Sequence, residues 1–271
     1  GYHPLIVQAN GTEIFRVKND GNISGSATST GSFGTLHIPG KFILDSTSRI
    51  SLSNNDAGGT GGSDSTSANT ILGYLAGDDI ASGGVNNSFV GHAAGHKNTT
   101  GDENSGFGRY AGFGNLTGDN NTFVGSSAGL SDNGSSHSNN TGIGKSSLTA
   151  LTTGVNNVAI GKDAGLSINS GEGNNIIGTS AGDALTTGIL NTVVGYFALS
   201  TSTDVDRVVA IGTEAMEAGN VTSAADGTVA IGSKALQVLT SGAANVAIGK
   251  DSGKALTTGA HNTFLGTTTG D

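Results

Sequence analysis

Apolar residues fall in short runs along most of this chain, and each run is followed by a glycine. These glycines lie 17 residues apart in eight of eleven intervals, and the remaining intervals are 18, 19 and 20 residues long. The glycines that define the period are Gly73, Gly91, Gly108, Gly125, Gly144, Gly161, Gly178, Gly195, Gly212, Gly232, Gly249 and Gly266. A fixed period of this kind is typical of architectures in which similar units stack on one another.

The residues before each glycine are rich in β-branched types, as in Val158-Ala159-Ile160, and are bounded by Gly, Asn and Asp. Such short runs are typical of strands, and the glycine content disfavours helices. One strand and its return path per period predict an all-β fold, a β-solenoid or parallel β-roll of about twelve 17-residue coils. Successive coils would pair in register about 4.8 Å apart.

Two adjacent columns of this strand lack polar residues throughout the repeats. Neighbouring strand residues point to opposite faces, so one column can fill the coil while the other needs a second surface. We therefore expect a homo-oligomer, a homotrimer, with these strands lining its axis. The alternative is a wider monomeric solenoid in which a lateral segment covers that face. The residues predicted as the strand core precede the glycines: Val124, Ile143, Ile160, Ile177, Val194, Ile211, Ile231 and Ile248.

Asparagine occupies the position four before the glycine in ten of the twelve repeats, and Val208 and Thr228 are the exceptions. Stacked asparagines can form a ladder of side-chain amides. The predicted ladder comprises Asn121, Asn140, Asn157, Asn174, Asn191, Asn245 and Asn262. The repeat glycines from Gly125 to Gly249 are predicted to form tight corners, where a positive φ leaves no room for a side chain.

The first part of the chain differs from the repeats. Residues 1–55 alternate apolar runs with the turn pairs Asn10-Gly11 and Asp20-Gly21, which predicts a short β-hairpin and shaft region. Residues 56–68 are rich in Gly and Ser and are predicted to form a linker. The repeat domain is predicted to span 69–271.

Strings such as NVAIGKDAG (Asn157 to Gly165) and NTFVGSSAG (Asn121 to Gly129) resemble the head repeats of trimeric autotransporter adhesins. They are still more similar to repeats of phage tail and side fibres, over about residues 66–271. The resemblance implies trimers of left-handed parallel β-rolls with the apolar strand facing the three-fold axis. It also implies a virion fibre that acts as a stiff spacer and binds a host surface glycan or protein. The alternative is the head of a bacterial surface adhesin.

Composition narrows the possible partners. The net charge is −9, whereas nucleic acids and anionic membranes select basic surfaces. Cysteine is absent, and no apolar run approaches the ~20 residues of a membrane-spanning helix. We therefore expect no nucleic-acid partner, no membrane insertion and no thiol chemistry.

Candidate catalytic and binding motifs all have a simpler explanation in the repeat. GIGKSS (Gly142 to Ser147) resembles the end of a P-loop, but Asn139 replaces the required first glycine. His92 and His96 have helical metal-ligand spacing, yet they lie across a coil corner. Asp and Glu form no recurring column of the kind found in Ca²⁺-binding β-rolls. We predict a protein that is not an enzyme and has no catalytic, cofactor or metal site.

Two further hypotheses concern surfaces. A monomeric ice- or glycan-binding solenoid requires a regular row of threonines, but the column three before the glycine changes from Thr141 to Val158 midway. Receptor contacts are instead predicted where the coils depart from the repeat, because function collects in loops on a rigid scaffold. Those segments are Leu130–Asn140, Ser200–Arg207 and Met216–Gly227.

Overall fold

A computed structural model provides the structure of the chain. It describes residues 68–80, 83–131 and 134–270, together with the backbone of strands at 6–9, 12–17, 23–24 and 53–54. The chain divides into two units, Gly1–Ile50 and Ser51–Asp271. The predicted boundaries of the shaft region and linker fall almost wholly outside the described residues, so they stay predictions.

The first unit contains a small antiparallel sheet in the order β1-β2-β3. Its strands are β1 (Ile6–Ala9), β2 (Thr12–Val17) and β3 (Ile23–Ser24). The rest of this unit lies outside the described residues. A shaft or hairpin region here therefore stays a prediction.

The second unit is built on one sheet of 13 strands. Strand β4 (Ser53–Asn54) pairs antiparallel with β5, and β5 to β16 then pair in parallel, each with its neighbour in sequence. These parallel strands are β5 (Asn69–Leu72), β6 (Ser88–Val90), β7 (Ser105–Phe107), β8 (Thr122–Val124), β9 (Thr141–Ile143), β10 (Val158–Ile160), β11 (Asn175–Ile177), β12 (Thr192–Val194), β13 (Val209–Ile211), β14 (Val229–Ile231), β15 (Val246–Ile248) and β16 (Thr263–Leu265). The predicted all-β parallel solenoid is confirmed, and its twelve parallel strands delimit about eleven turns.

Equivalent residues of successive coils pair with one another, as in Ala159 with Ile176. The register survives the longest interval, where Val209 pairs with Val229 across 20 residues. That interval contains the 3₁₀ helix Ser223–Ala225. Extra residues are therefore absorbed in the return path of a coil, and the strands keep their alignment.

The interior is packed by matching large side chains with glycine. Phe123 points inward and is 2% exposed, and its ring occupies the space where Gly129 and Gly142 lack a side chain. A Cβ atom at Gly129 would lie 2.5 Å from that ring, and one at Gly142 would lie 2.9 Å from it. The coil that contains Gly142 instead buries Leu148. A large side chain in one coil thus faces glycines in the same coil and in the next, which keeps the core close-packed.

Candidate functional site

The outward side of the parallel strands carries a continuous line of apolar residues, which we call the apolar ridge. The ridge residues are Leu72, Val90, Phe107, Val124, Ile143, Ile160, Ile177, Val194, Ile211, Ile231, Ile248 and Leu265. Eight of these side chains are exposed, from 37% at Ile160 to 74% at Leu265, and the other four are partly buried. No segment within the described part of the chain covers them. The ridge therefore leaves an apolar line open along the stack.

The residues predicted as the strand core lie on this ridge and outside the interior of the single chain. Each short strand directs its middle residue inward and its last residue outward, as the burial of Val158-Ala159-Ile160 shows. The interior position is the preceding residue, such as Ala159 or Ile176, both fully buried. In the single chain the ridge residues therefore point outward, and their place in the core of an assembly stays a prediction.

The asparagine column forms a ladder that joins three coils at each step. The side-chain Nδ2 of Asn157 donates to Oδ1 of Asn140 at 3.1 Å and to the carbonyl of Gly171 at 2.8 Å. The backbone N–H of Asn157 donates to the same Oδ1 at 3.0 Å. Direct side-chain bonds of this type join Asn104, Asn121, Asn140, Asn157, Asn174 and Asn191, and also Asn245 and Asn262.

The ladder is interrupted at Val208 and Thr228, as the sequence requires. The backbone N–H of Val208 still donates to Oδ1 of Asn191 at 3.0 Å. Thr228 Oγ1 is buried and has no hydrogen-bond partner among the described residues. Coils continue across this interruption, so the amide ladder reinforces the stack without being required at every step.

The repeat glycines form the corners that follow the strands. Gly161 has a φ of 139°, and a Cβ atom there would lie 2.4 Å from the carbonyl oxygen of Gly178 in the next coil. An L-residue is excluded by both the conformation and the close backbone approach. The same corner recurs at Gly125, Gly144, Gly178, Gly195, Gly212, Gly232 and Gly249.

The ridge is flanked mostly by polar and charged residues, and by valine at the start of four strands. The first residue of each strand from β6 onward is Ser, Thr, Val or Asn, and Ser105, Thr122 and Thr141 are half-buried. Beyond the corner glycines stand exposed Lys145, Lys162 and Lys250, of which Lys162 pairs with Asp163. An apolar centre with a polar rim is the anatomy of a protein–protein interface.

The segments that depart from the repeat contribute to the interior as well as to the surface. Met216, Val221 and Ala225, in the longest interval, are fully buried, and so is Val205 of the segment Ser200–Arg207. His137, in the segment Leu130–Asn140, is fully buried against Phe123 with ring centroids 5.7 Å apart. Burial lowers the pKa of His137 to about 4, although its own backbone hydrogen bond acts in the opposite direction.

The structure offers little support for catalytic or metal chemistry among the residues it describes. No group of three or more His, Asp or Glu side chains in the described ranges could hold a metal ion. His96 stacks on Phe113, and His92 packs against Tyr74 and Tyr110. Lys145 stands exposed beyond a corner. Burial raises the pKa of the half-buried Asp183, and the charge of Asp163 adds to that effect, against its backbone hydrogen bonds.

A short acidic column escaped the sequence analysis. Oδ1 of Asp119 accepts the backbone N–H of Asp102 at 2.8 Å, and Oδ1 of Asp226 accepts that of Asp206 at 2.9 Å. Asp102 in turn accepts the N–H of Val85 at 2.8 Å. These carboxylates satisfy backbone donors of the preceding coil. Because serine, glutamate and apolar residues interrupt the column, the repeat alignment alone did not reveal it.

Comparisons of the chain with family models, curated proteins and solved structures find no match. Within the described part of the chain, no helix is long and apolar enough to cross a bilayer. The functional argument therefore starts from the ridge and the surfaces beside it.

Proposed function

We propose that the chain is a rod segment of a homotrimeric fibre, of the kind found in viral tail or side fibres. It would serve as a stiff spacer and as a host-attachment element. The observation that carries the proposal is the apolar ridge, an uninterrupted line of apolar side chains over all twelve parallel strands. Eight of them are exposed, and Val90, Val194, Ile211 and Ile231 are partly buried. Exposed apolar patches of this extent mark sites of association.

The partner that fits the ridge is another copy of the same chain. A binding surface must present apolar side chains at the spacing of the coils, about 4.8 Å, over roughly 55 Å of rod. A parallel copy related by an axis along the rod meets this requirement automatically, because each coil faces its own equivalent. Closed rotational symmetry of this kind is the usual arrangement in homo-oligomers.

Three copies suit the shape of the ridge better than two. The ridge is one side chain wide. It is bordered by Ser or Thr on strands β6 to β9, and by valine on one side at β10, β13, β14 and β15. Around a three-fold axis, each ridge side chain contacts two equivalents, and the borders stay at the rim. The resemblance of the repeats to trimeric fibre and adhesin heads points to the same number.

A stiff spacer is consistent with how the coils are joined. Backbone pairing connects every adjacent coil from β5 to β16, and buried asparagine amides reinforce most of these steps. The same rod could instead form the head of a bacterial surface adhesin. The genes that adjoin its own gene distinguish these two settings, since a virion fibre is encoded among other structural genes of the virus.

Attachment is assigned to the departures from the repeat at Leu130–Asn140, Ser200–Arg207 and Met216–Gly227. In a trimer each segment occurs three times around the rod, so weak contacts would combine into avidity. Since Val205, Met216, Val221 and Ala225 are buried, only the exposed residues of these segments can make such contacts.

Electron microscopy of the purified chain tests the rod, and a cell-binding assay tests attachment. We expect uniform rods that include a straight section of about 55 Å with three-fold symmetry in cross-section, and binding to a susceptible host cell. Single, two-fold or irregular particles would contradict the trimer. If the rods have three-fold symmetry but bind no cell, the spacer function stands and the attachment function is contradicted.

A further inference from the structure

Aromatic and imidazole side chains gather on the surface of the first coils, just beyond the corner glycines. We call this group the aromatic patch, and it consists of Tyr74, His92, His96, Arg109, Tyr110 and Phe113. Tyr74 is 73% exposed, His92 and Arg109 are also exposed, and the other three are partly buried. Aromatic side chains at this exposure are unusual on a surface that is otherwise dominated by Ser, Thr, Asn and Gly.

The rings form one connected series across neighbouring coils. Ring centroids are 5.6 Å apart between Tyr74 and His92, and 5.2 Å apart between His92 and Tyr110. Phe113 extends the series, 5.6 Å from Tyr110 and 5.2 Å from His96, on which it stacks. The series therefore presents several ring faces and edges over three coils.

Polar atoms are held beside the rings. The guanidinium carbon of Arg109 lies 4.6 Å from the centroid of the Tyr110 ring. Nδ1 of His96 lies 3.2 Å from the carbonyl oxygen of Leu75, which fixes the orientation of the imidazole. Lys97 is engaged with Asp79 at 2.8 Å, whereas the Arg109 guanidinium lies against the rings, where a ligand on them can reach it.

The charge of the chain and the shape of this surface disfavour protein and nucleic-acid ligands. A protein partner would be expected to insert an anchoring side chain. A cavity beside Gly112 holds about 10 Å³ among Phe89, Asn98 and Phe123 in the coil interior, which is too small for such an anchor. Single-stranded nucleic acid also stacks on rings, but it requires a cationic groove, and this chain has a net charge of −9. The surface is better suited to a ligand that lies flat on the rings and forms hydrogen bonds at its edges.

We propose that the aromatic patch binds the pyranose rings of a glycan. This rests on the host-attachment role proposed above, and it adds a contact site on the first coils to the three segments named there. The C–H face of a pyranose carries partial positive charge, and the face of an aromatic ring carries partial negative charge, so the two attract when stacked. The phenol groups of Tyr74 and Tyr110, the imidazole of His92 and the guanidinium of Arg109 are placed to bond ring hydroxyls or an acidic sugar's carboxylate.

The experiment uses the full chain, a microarray of defined oligosaccharides, and Tyr74→Ala and Tyr110→Ala variants. Tyr196→Ala is the matched control, because Tyr196 is 52% exposed at the equivalent corner position of a distant coil. The chain contains no tryptophan, so tyrosine fluorescence reports titration with the oligosaccharides that bind. We expect wild type and Tyr196→Ala to bind equally, and each patch variant to lose at least about tenfold in affinity.

Failure of the glycan site and failure of the attachment role give different results. Wild-type binding to host cells without binding to any arrayed oligosaccharide, or with full retention by both patch variants, overturns the glycan site and leaves attachment standing. Glycan binding that depends on Tyr74 and Tyr110, without any cell binding, supports the site and removes the attachment role. A change in solution mass in the patch variants would show that these rings contact another subunit and would also overturn the proposal.

Discussion

The two sides of the same strand column behave as different regions of the molecule. The side chains on the inward side are buried within the chain. Ala159, Ile176, Val193 and Ala210 are fully buried by their own coil and its neighbours. The outward side, although equally apolar, keeps Ile160 at 37% and Ile177 at 42% exposure. The fold of one chain explains the apolar residues on the inward side. It leaves those on the outward side without a role, which is why we propose that another copy of the chain covers them.

The largest effect is expected from a charge on the inward side. Replacing Ile176 by Asp would place a carboxylate in a fully buried apolar site and remove a packed side chain. We expect a loss of more than about 5 kcal/mol, enough to prevent folding. Circular dichroism and thermal melting provide the measurement. A variant that melts within a few degrees of wild type would show that position 176 does not face the core.

The adjacent isoleucine provides the matched variant on the other side of the strand. Ile177→Asp should leave the coil of the single chain intact but abolish assembly, because it would bring three carboxylates together on the proposed axis. Light scattering should report monomers, and circular dichroism should report retained β structure. Thr187→Asp, an exposed change outside the ridge, is the control and should assemble normally. If Ile177→Asp assembles at the same protein concentration as wild type, the ridge does not form the subunit interface.

An intermediate effect is expected from the amide ladder, which belongs to the inward side. Asn157→Ala removes the acceptor for the backbone N–H and the Nδ2 of Asn174, at 3.1 and 2.9 Å. Two buried donors without a partner should cost roughly 2–6 kcal/mol. Chemical denaturation measures the loss, and Thr187→Ala provides a control outside the ladder. A loss below about 1 kcal/mol would mean that water replaces the amide.

The smallest effect is a pH dependence that arises from His137. Its pKa is about 4 in the folded chain against 6.5 for an unperturbed histidine, so the unfolded state binds the proton more readily between these values. Stability contributed by the neutral imidazole is complete above pH 6.5, falls as the pH is lowered towards 4, and changes no further below it. The full loss is roughly 3 kcal/mol.

Denaturation of wild type and of His137→Leu across that pH range checks this expectation. The difference in unfolding free energy between the two proteins should change between pH 6.5 and 4 and be constant elsewhere. Parallel curves over the whole range would show that His137 is accessible to solvent in the folded state.

The repeat, the strands, the asparagine column and the corner glycines could be predicted from the sequence because each recurs at a fixed spacing. Which apolar column faces inward could not, since neighbours such as Ile176 and Ile177 are chemically identical. The pairing of Phe123 with Gly129 and Gly142 depends on contacts across the coil and between coils, which a column-by-column alignment does not display. The aromatic patch was missed for a related reason. Tyr74 and His92 follow their corner glycines directly, but Tyr110 stands one position further on, and the rings meet only when the coils stack.

The central claim is that the apolar ridge is buried among three copies of this chain. Sedimentation equilibrium of the purified chain at neutral pH and moderate salt measures it directly. The account predicts a single species with three times the 26.5 kDa mass of one chain, persisting on dilution through the micromolar range. A single species at the mass of one chain, with the ridge exposed and the protein folded, would contradict it.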